Sequence, residues 1–459
     1  MKVLHIQHRA LKKLFPTRMP EPGQTVRPFT YLVTAQVPEG LLVYQAALCS
    51  FVLLEEDEQN YLRSTAFPEE PSETLCFLIE NRFLVPADHD DHSFCGNVRE
   101  GARLVRRLTE DEGYGGFTIL TTTACNARCF YCFEKDCVPE TMTPETAAAV
   151  AEFILKEGRQ KGVHLSWFGG EPTVNTRVID QITEALAAAG REYTSSMISN
   201  GYLMDEAMVR KAAEQWKLKQ IQITLDGTET VYNERKNYIG VSGSAFRTVL
   251  NNIGFLLDAG VRVLIRLNVD TENAEDLCAL AGQLKDRFGE RKNLSVYSHA
   301  LFEDNSMPTS YAERLLADGM VARHLENLGW RVSRHLDPFP KTYHCMADSG
   351  SGPVIMPDGG LGSCEHISFS RNWGTVFHPE KRSDEENEFW NELYPEQPEC
   401  GGCSAYPSCI RLKNCHPSPS VCTEALREDA CRELTESLLA AWDRIKKGLD
   451  EVEEDLPCS

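Results

Sequence analysis

Between residues 113 and 325, short apolar runs alternate with longer segments whose apolar positions recur at helical spacing. The runs at 117–121, 163–168, 196–199, 220–225, 261–269 and 294–299 are read as strands. Strands that alternate with helices in this way predict an α/β region in which parallel strands are joined by crossover helices. The first 112 residues are patterned differently. Residues 30–37 and 40–43 form two strands around the turn Pro38-Glu39, and 72–79 has the spacing of a short helix that ends near 83–86. The polar run Asp88-His89-Asp90-Asp91-His92 reads as a solvated linker. The pattern divides the chain into a small N-terminal α+β region over 1–112, an α/β region over 113–325 and a cysteine-rich C-terminal region over 326–459. A chain of 459 residues is too long for one core and accommodates roughly two to four domains.

Composition narrows the function classes. With 42% hydrophobic and 25% charged residues the chain is globular. Its 68 acidic and 47 basic side chains give a formal charge of −21, which repels a phosphate backbone, so nucleic acid is not expected as a partner. The basic stretch near 8–18 is short and interrupted and reads as solvated surface. No apolar run approaches the roughly 18 residues of a membrane span, and the start lacks the apolar run of a signal peptide. No membrane partner is expected, and the expected location is the cytoplasm. There, 17 cysteines point to metal or cluster ligation rather than disulfides.

Cys125, Cys129 and Cys132 stand in the run Ala124-Cys125-Asn126-Ala127-Arg128-Cys129-Phe130-Tyr131-Cys132-Phe133. Three thiolates at this spacing can hold three irons of a cubane iron–sulfur cluster and leave the fourth iron without a protein ligand. A zinc knuckle is the alternative, but three cysteines alone make an incomplete tetrahedral site. The run, with Tyr131 directly before its last cysteine, resembles the signature of the radical S-adenosylmethionine (radical SAM) superfamily. That resemblance implies one [4Fe–4S] cluster on Cys125, Cys129 and Cys132, with SAM chelating the open iron. Reductive cleavage of SAM then gives a 5′-deoxyadenosyl radical that takes a hydrogen atom from substrate. The six strand–helix units are expected to form a partial (β/α)6 TIM-like barrel, with functional residues where strands end.

Three motifs follow strands in that manner. Gly169-Gly170-Glu171-Pro172 combines glycines that let the backbone approach a ligand with an acceptor, and resembles the family motif that meets the SAM amino group. Ser199-Asn200-Gly201 and Thr224-Leu225-Asp226-Gly227 come after the next two strands. By resemblance, Tyr131, Gly169, Gly170, Glu171, Asn200, Thr224, Asp226 and Arg235 form the cofactor-binding set. Arg266 is a further arginine aimed at SAM or substrate; for both arginines a surface salt bridge is the alternative.

Cysteines concentrate again at Cys345, Cys364, Cys400, Cys403, Cys409, Cys415, Cys422 and Cys431. This series resembles the SPASM extension of radical SAM enzymes that mature peptides, which holds two auxiliary [4Fe–4S] clusters. The resemblance assigns Cys400, Cys403, Cys409 and Cys431 to the second cluster and Cys345, Cys364 and Cys415 to the first. Cys422 is either the fourth ligand of the first cluster or an ordinary thiol, and an open auxiliary iron is the alternative. Zinc also fits Cys400-x2-Cys403. Cys49, Cys76 and Cys278 lie in apolar patterns and read as core residues, whereas Cys95, Cys137 and Cys458 have no assignable role.

Glu365 directly follows Cys364, where anaerobic sulfatase-maturating enzymes carry an aspartate base, and is the candidate catalytic residue. The leading expectation is a maturase that closes a thioether or carbon–carbon crosslink in a ribosomally made peptide. Its partners are a peptide or protein substrate, gripped through a leader by the N-terminal region, and an electron donor such as flavodoxin or ferredoxin. Formylglycine formation and a non-catalytic iron–sulfur binding or electron-transfer protein are the alternatives.

Overall fold

The computed structural model describes residues 1–5, 9–63, 65–109, 112–135, 137–289, 291–301, 310–330, 336–337, 339–366, 368–415 and 421–448; Cys458 lies outside them. The N-terminal part contains strands β1 (Lys2–His5), β2 (Thr25–Pro28), β3 (Leu32–Val37), β4 (Gly40–Gln45), β5 (Ser50–Leu54), β6 (Thr65–Ala66) and β7 (Leu84–Pro86). Its helices are α1 (Arg9–Leu14), α2 (Glu73–Glu80) and α3 (Asp91–Thr109). The strands form two antiparallel sheets, β1-β5-β4-β3 and β6-β2-β7. Pairing of Val37 with Gly40 puts the tight turn at Pro38-Glu39, as the sequence indicates. Ser72 is the N-cap of α2 rather than its first residue, accepting from the Leu75 amide.

The run 88–92 is solvated only in part: Asp88 and Asp90 are exposed, whereas Asp91 is buried at the start of α3. Asp90 accepts from the Ser93 amide at the start of α3, and Asp91 is 5% exposed. The Asp91 carboxylate accepts from Arg27, from the Thr30 amide and hydroxyl, and pairs with His89. Charge density alone suggested solvation; the donors that neutralise it lie some sixty positions earlier (|i−j| of 61 for Thr30 and 64 for Arg27).

The central sheet is built from β8 (Gly116–Thr122), β9 (Val163–Gly169), β10 (Tyr193–Ser199), β11 (Leu218–Leu225), β12 (Arg262–Val269) and β13 (Leu294–Ala300). These are the six strands expected from the apolar runs, side by side in sequence order and parallel throughout. Helices α4 (Pro144–Glu157), α5 (Thr176–Ala188), α6 (Glu206–Glu214), α7 (Glu229–Lys236), α8 (Ala245–Asp258) and α9 (Ala274–Phe288) alternate with them. Alternate strand positions such as Ile119, Leu165, Trp167, Met197, Ile221, Ile223, Ile265 and Val296 are buried with Ile154, Ile182, Ile253 and Leu280 from the helices. Covering a parallel sheet in this way removes its apolar residues from water.

After α10 (Tyr311–Asn327) and the single turn α11 (Met346–Ser349), the chain returns to this sheet. β14 (Val354–Ile355) pairs parallel to β8, and β15 (Gly360–Gly362) and β16 (Gly374–Thr375) extend it antiparallel, giving nine strands in a mostly parallel sheet. Helices α12 (Asp384–Asn391) and α13 (Glu424–Lys446) follow. Leu438, Ala441 and Trp442 of α13 bury themselves against Leu4, Val33, Leu42, Tyr44 and Phe51, so the N-terminal sheet completes its core with the C-terminal helix. Tyr406 likewise packs with Phe29, Tyr31 and Phe94. No helix among the described residues is long and apolar enough to cross a membrane.

Burial opposes ionisation of Asp91, but hydrogen bonds from His89, Arg27 and Thr30 outweigh it and hold the carboxyl well below the ordinary range. A depressed carboxyl stabilises the fold at neutral pH, and that contribution is lost as pH falls through and below the usual carboxylate range. Asp91→Asn is expected to cost about 2 kcal/mol near neutral pH and to lose less stability on acidification than the native chain. Urea unfolding midpoints at neutral and acidic pH check both.

Candidate functional site

The three cysteines of the 125–132 run occupy a loop that leaves the end of β8 and is closed at its base. The Thr123 amide donates to the Glu140 carbonyl, the Met142 amide to Thr121, and the Ala124 amide to the Thr122 hydroxyl. The turn after β9 presses against the same loop, with the Gly170 amide donating to Thr122 and the Glu171 amide to Ala124. A Cβ on Gly170 would lie 2.5 Å from the Thr123 carbonyl oxygen and 2.6 Å from that of Ala124, which is why this position needs glycine.

The far side of the loop is held by the end of α7. The Arg128 amide donates to the Lys236 carbonyl at 2.9 Å, and the Ile239 amide donates to Asn126 at 2.9 Å. Asn237, at φ 46°, ends the helix in a left-handed conformation that turns the chain toward the loop. Arg235 lies over the Phe130 ring, 4.8 Å from its centroid, and pairs with Asp270 at 2.5 Å. For Arg235 the salt-bridge alternative is thus realised, but as a buried pair rather than a surface one.

The expected polar residues converge on this loop by unequal routes. Asn200 donates to the Asn126 side chain at 2.6 Å and its Nδ2 lies 4.0 Å from Cys125 Sγ. Thr224 is half-buried on β11, beside Arg266 in the next strand. Asp226 is fully buried, its Oδ2 accepting from Tyr131 at 2.6 Å and lying 3.2 Å from the Lys236 ammonium. Glu171 meets the loop through its amide, and its carboxylate turns into the protein. Fully buried, it accepts from the Thr173 amide and hydroxyl, the Ser199 hydroxyl and the Asn200 amide, tying the end of β9 to that of β10. Burial raises its carboxyl despite these donors.

Burial likewise pushes the Cys125 thiol up to about 11 and that of Cys132 up to about 12. The three thiols are partly buried, and Lys236 is the cation that opposes the rise at Cys125. The positive charge of bound iron would remove that penalty, so the donor set fits a cluster.

The later cysteines fall into two groups. Cys345 and Cys415 are the thiols acting on Cys364. Cys403 lies 3.9 Å from Cys431, whose sulfur accepts from Ser404, and Cys409 feels Cys422 and Cys400. Cys422 is thus one of the groups whose charge acts on Cys409. Among the described residues no three His, Cys, Asp or Glu side chains close around a single ion.

Glu365 and His366 reach back to the cysteine loop. His366 packs on Phe133 with ring centroids 4.2 Å apart. Glu134 is 7% exposed, and its carboxyl is raised to about 7 by burial and then by Glu365. Sequence reasoning missed Glu134, Lys236 and Asn126, because a glutamate, a helical lysine and an asparagine read as solvated until long-range partners are known. Their adjacency to Cys132, Arg235 and Cys125 was the one available signal.

Residues 119–284, which contain the cysteine loop and the strand ends around it, match the radical SAM superfamily. This segment is thus similar to radical SAM domains. TigE, a radical SAM cyclopropyl synthase from Paramaledivibacter caminithermalis, is 23% identical over 192 residues, which cover 33% of this chain and 39% of TigE. The match thus spans about two-fifths of that relative. Among solved structures, anSMEcpe with bound AdoMet has a TM-score of 0.57 at 16% identity, covering 73% of this chain and 100% of its own. Streptococcus suis SuiB bound to the precursor peptide SuiA has a TM-score of 0.50 at 12% identity, covering 89% of this chain and 100% of its own. These likenesses show that the chain shares the fold of those structures.

Gly170→Ala drives a methyl group into two backbone carbonyls, neither of which can swing away. The variant is expected to lose about 1–3 kcal/mol and to take up less iron during reconstitution. Thermal unfolding and iron analysis check this.

Proposed function

We propose that this protein is a radical SAM enzyme that modifies a peptide, closing a thioether or carbon–carbon crosslink in a ribosomally made precursor. The observation that carries the reading is the convergence of Cys125, Cys129 and Cys132 with the ends of β9, β10 and β11, where Gly170, Asn200 and Asp226 meet one loop. Cys125, Cys129 and Cys132 would hold a [4Fe–4S] cluster, with SAM bound beside Gly169, Gly170, Asn200 and Thr224. When bound, that pair of cofactors supplies a carbon-centred radical able to take a hydrogen atom from substrate.

The protein's own residues shape the surroundings. Asp226 and Glu171 act from within the wall, the first on Tyr131 and the second on the turn that carries Asn200. Arg235 steadies Phe130. The two later cysteine groups would hold auxiliary clusters that pass on surplus electrons, Cys345, Cys364 and Cys415 in one, and Cys400, Cys403, Cys409 and Cys431 with Cys422 beside them in the other. A peptide substrate is supported by the relatives of similar fold, one bound to the Cp18Cys peptide and one to a precursor peptide. The antiparallel N-terminal sheets are the proposed leader-binding part. A flavodoxin- or ferredoxin-like donor would supply the electron, in the cytoplasm and without nucleic acid or membrane partners.

Formylglycine formation is the second reading, favoured by the carboxylate of Glu365 directly after Cys364 and facing Glu134. Both enzyme readings are tested against a non-catalytic one by the same experiment. The reconstituted protein with SAM and dithionite is expected to release 5′-deoxyadenosine. A variant with Cys125, Cys129 and Cys132 all changed to Ala should lose this by at least about 100-fold while keeping the iron held by the later cysteines. No 5′-deoxyadenosine from the native protein sinks the enzyme reading. Mass spectrometry of a precursor peptide encoded beside the protein reads crosslinking as a loss of two hydrogens per bond; formylglycine formation is separated from it by hydrazide trapping of the aldehyde, since oxidation of a serine also removes two hydrogens.

A further inference from the structure

Lys236, the last residue of α7, is 4% exposed. Its ammonium lies 3.2 Å from Asp226 Oδ2 and donates to the Tyr131 hydroxyl at 3.0 Å, while that hydroxyl donates to Asp226 at 2.6 Å. The three groups form a closed triangle inside the protein. Tyr131 stands between Cys129 and Cys132, so fixing its side chain fixes the stretch of loop that carries both thiols. The main chain of Lys236 works on the same stretch: its carbonyl accepts from the Arg128 amide and lies 4.0 Å from Cys129 Sγ.

A buried ammonium is costly unless paired, and here one carboxylate supplies the pairing, with Asp226 Oδ1 left without a partner. The ammonium meets the cysteine loop at the hydroxyl of Tyr131, between Cys129 and Cys132 in sequence, and its charge acts on Cys125. One-electron reduction adds a negative charge to a cluster, and a fixed cation in a low-dielectric wall favours that state.

We propose that Lys236 is a positioning residue that holds Tyr131 and thereby the Cys129–Cys132 stretch, and that its ammonium eases reduction of the cluster bound by Cys125, Cys129 and Cys132. The inference rests on the reading of these cysteines as cluster ligands. Both halves act through the loop and require no contact between Lys236 and SAM.

The test compares the full-length protein with Lys236→Met, Lys236→Arg and the double variant Asp226→Asn/Lys236→Met, all reconstituted anaerobically with iron and sulfide. Iron and sulfide are counted, and the cluster whose electron paramagnetic resonance signal changes on adding SAM is titrated against potential. Lys236→Met is expected to lower the equilibrium constant for reduction about tenfold, a shift of 59 mV to more negative potential for one electron, and the double variant, which removes the carboxylate charge as well, to shift it less in the same direction. Lys236→Arg should stay near the native potential. Full iron content with an unmoved potential in either Met-containing variant overturns the role of the ammonium. If Lys236→Met loads iron poorly because Asp226 is orphaned, the double variant, which leaves no unpaired carboxylate, decides by the same criterion. Failure of both to load the SAM-responsive cluster while Lys236→Arg loads it supports the positioning role. Failure of all three overturns the assignment to charge. A native protein with no SAM-responsive signal overturns the cluster reading itself and is thereby distinguished from failure of the Lys236 assignment.

Discussion

A carboxylate with no access to solvent, Asp226, sits where the end of β11, the cysteine loop and the end of α7 meet. It is stable there because Lys236 and Tyr131 bring it an ammonium and a hydroxyl, and each of those groups belongs to a different segment. Buried charge tolerates little misplacement, since pulling either partner away exposes an uncompensated ion to a low-dielectric interior. The loop that carries Cys125, Cys129 and Cys132 is therefore positioned by electrostatics on one face. On the other it is positioned by close backbone packing against Gly170. Glu171 performs the corresponding task one strand away, where a second buried carboxylate gathers Thr173, Ser199 and Asn200.

The same principle of long-range tethering runs through the rest of the chain. The N-terminal sheets lean on α13 through Trp442 and on the later cysteine region through Tyr406. Tyr406 stacks on His92 at 4.3 Å and donates to Glu396, and Asp91 beside His92 is pinned by Arg27 and Thr30. The two ends of the chain thus share apolar cores and one polar network. β14 to β16 meanwhile add the C-terminal region to the sheet that begins at β8, beside the cysteine loop. Through Phe133 and His366 the segment after Cys364 touches the segment after Cys132.

The legible features were those written into neighbouring residues. The six central strands came from continuous apolar runs, because a strand covered on both faces has few places for polar side chains. The triad Cys125, Cys129 and Cys132 was legible because its three cysteines stand in one short run, and the glycines after β9 because only glycine fits against a crossing backbone. The polar turns at Asn200 and Asp226 follow β10 and β11, as their positions in the sequence indicated, and their side chains meet the cysteine loop. Short strands such as β14 and β16 carry too few residues for any pattern, and charged runs such as 88–92 look solvated when their counter-charges are far away in sequence.

By itself the sequence determined the alternation of strands and helices, the identity of the cysteine loop and the order of the turns that meet it, since each depends on local spacing and backbone sterics. Tertiary structure alone decided which charges are buried and which partners neutralise them. It turned Glu171 and Asp226 inward and placed Lys236 against Tyr131. Electrostatic pairing in a low-dielectric interior depends on distance in space, and residues far apart in sequence reveal that distance only once the chain has folded.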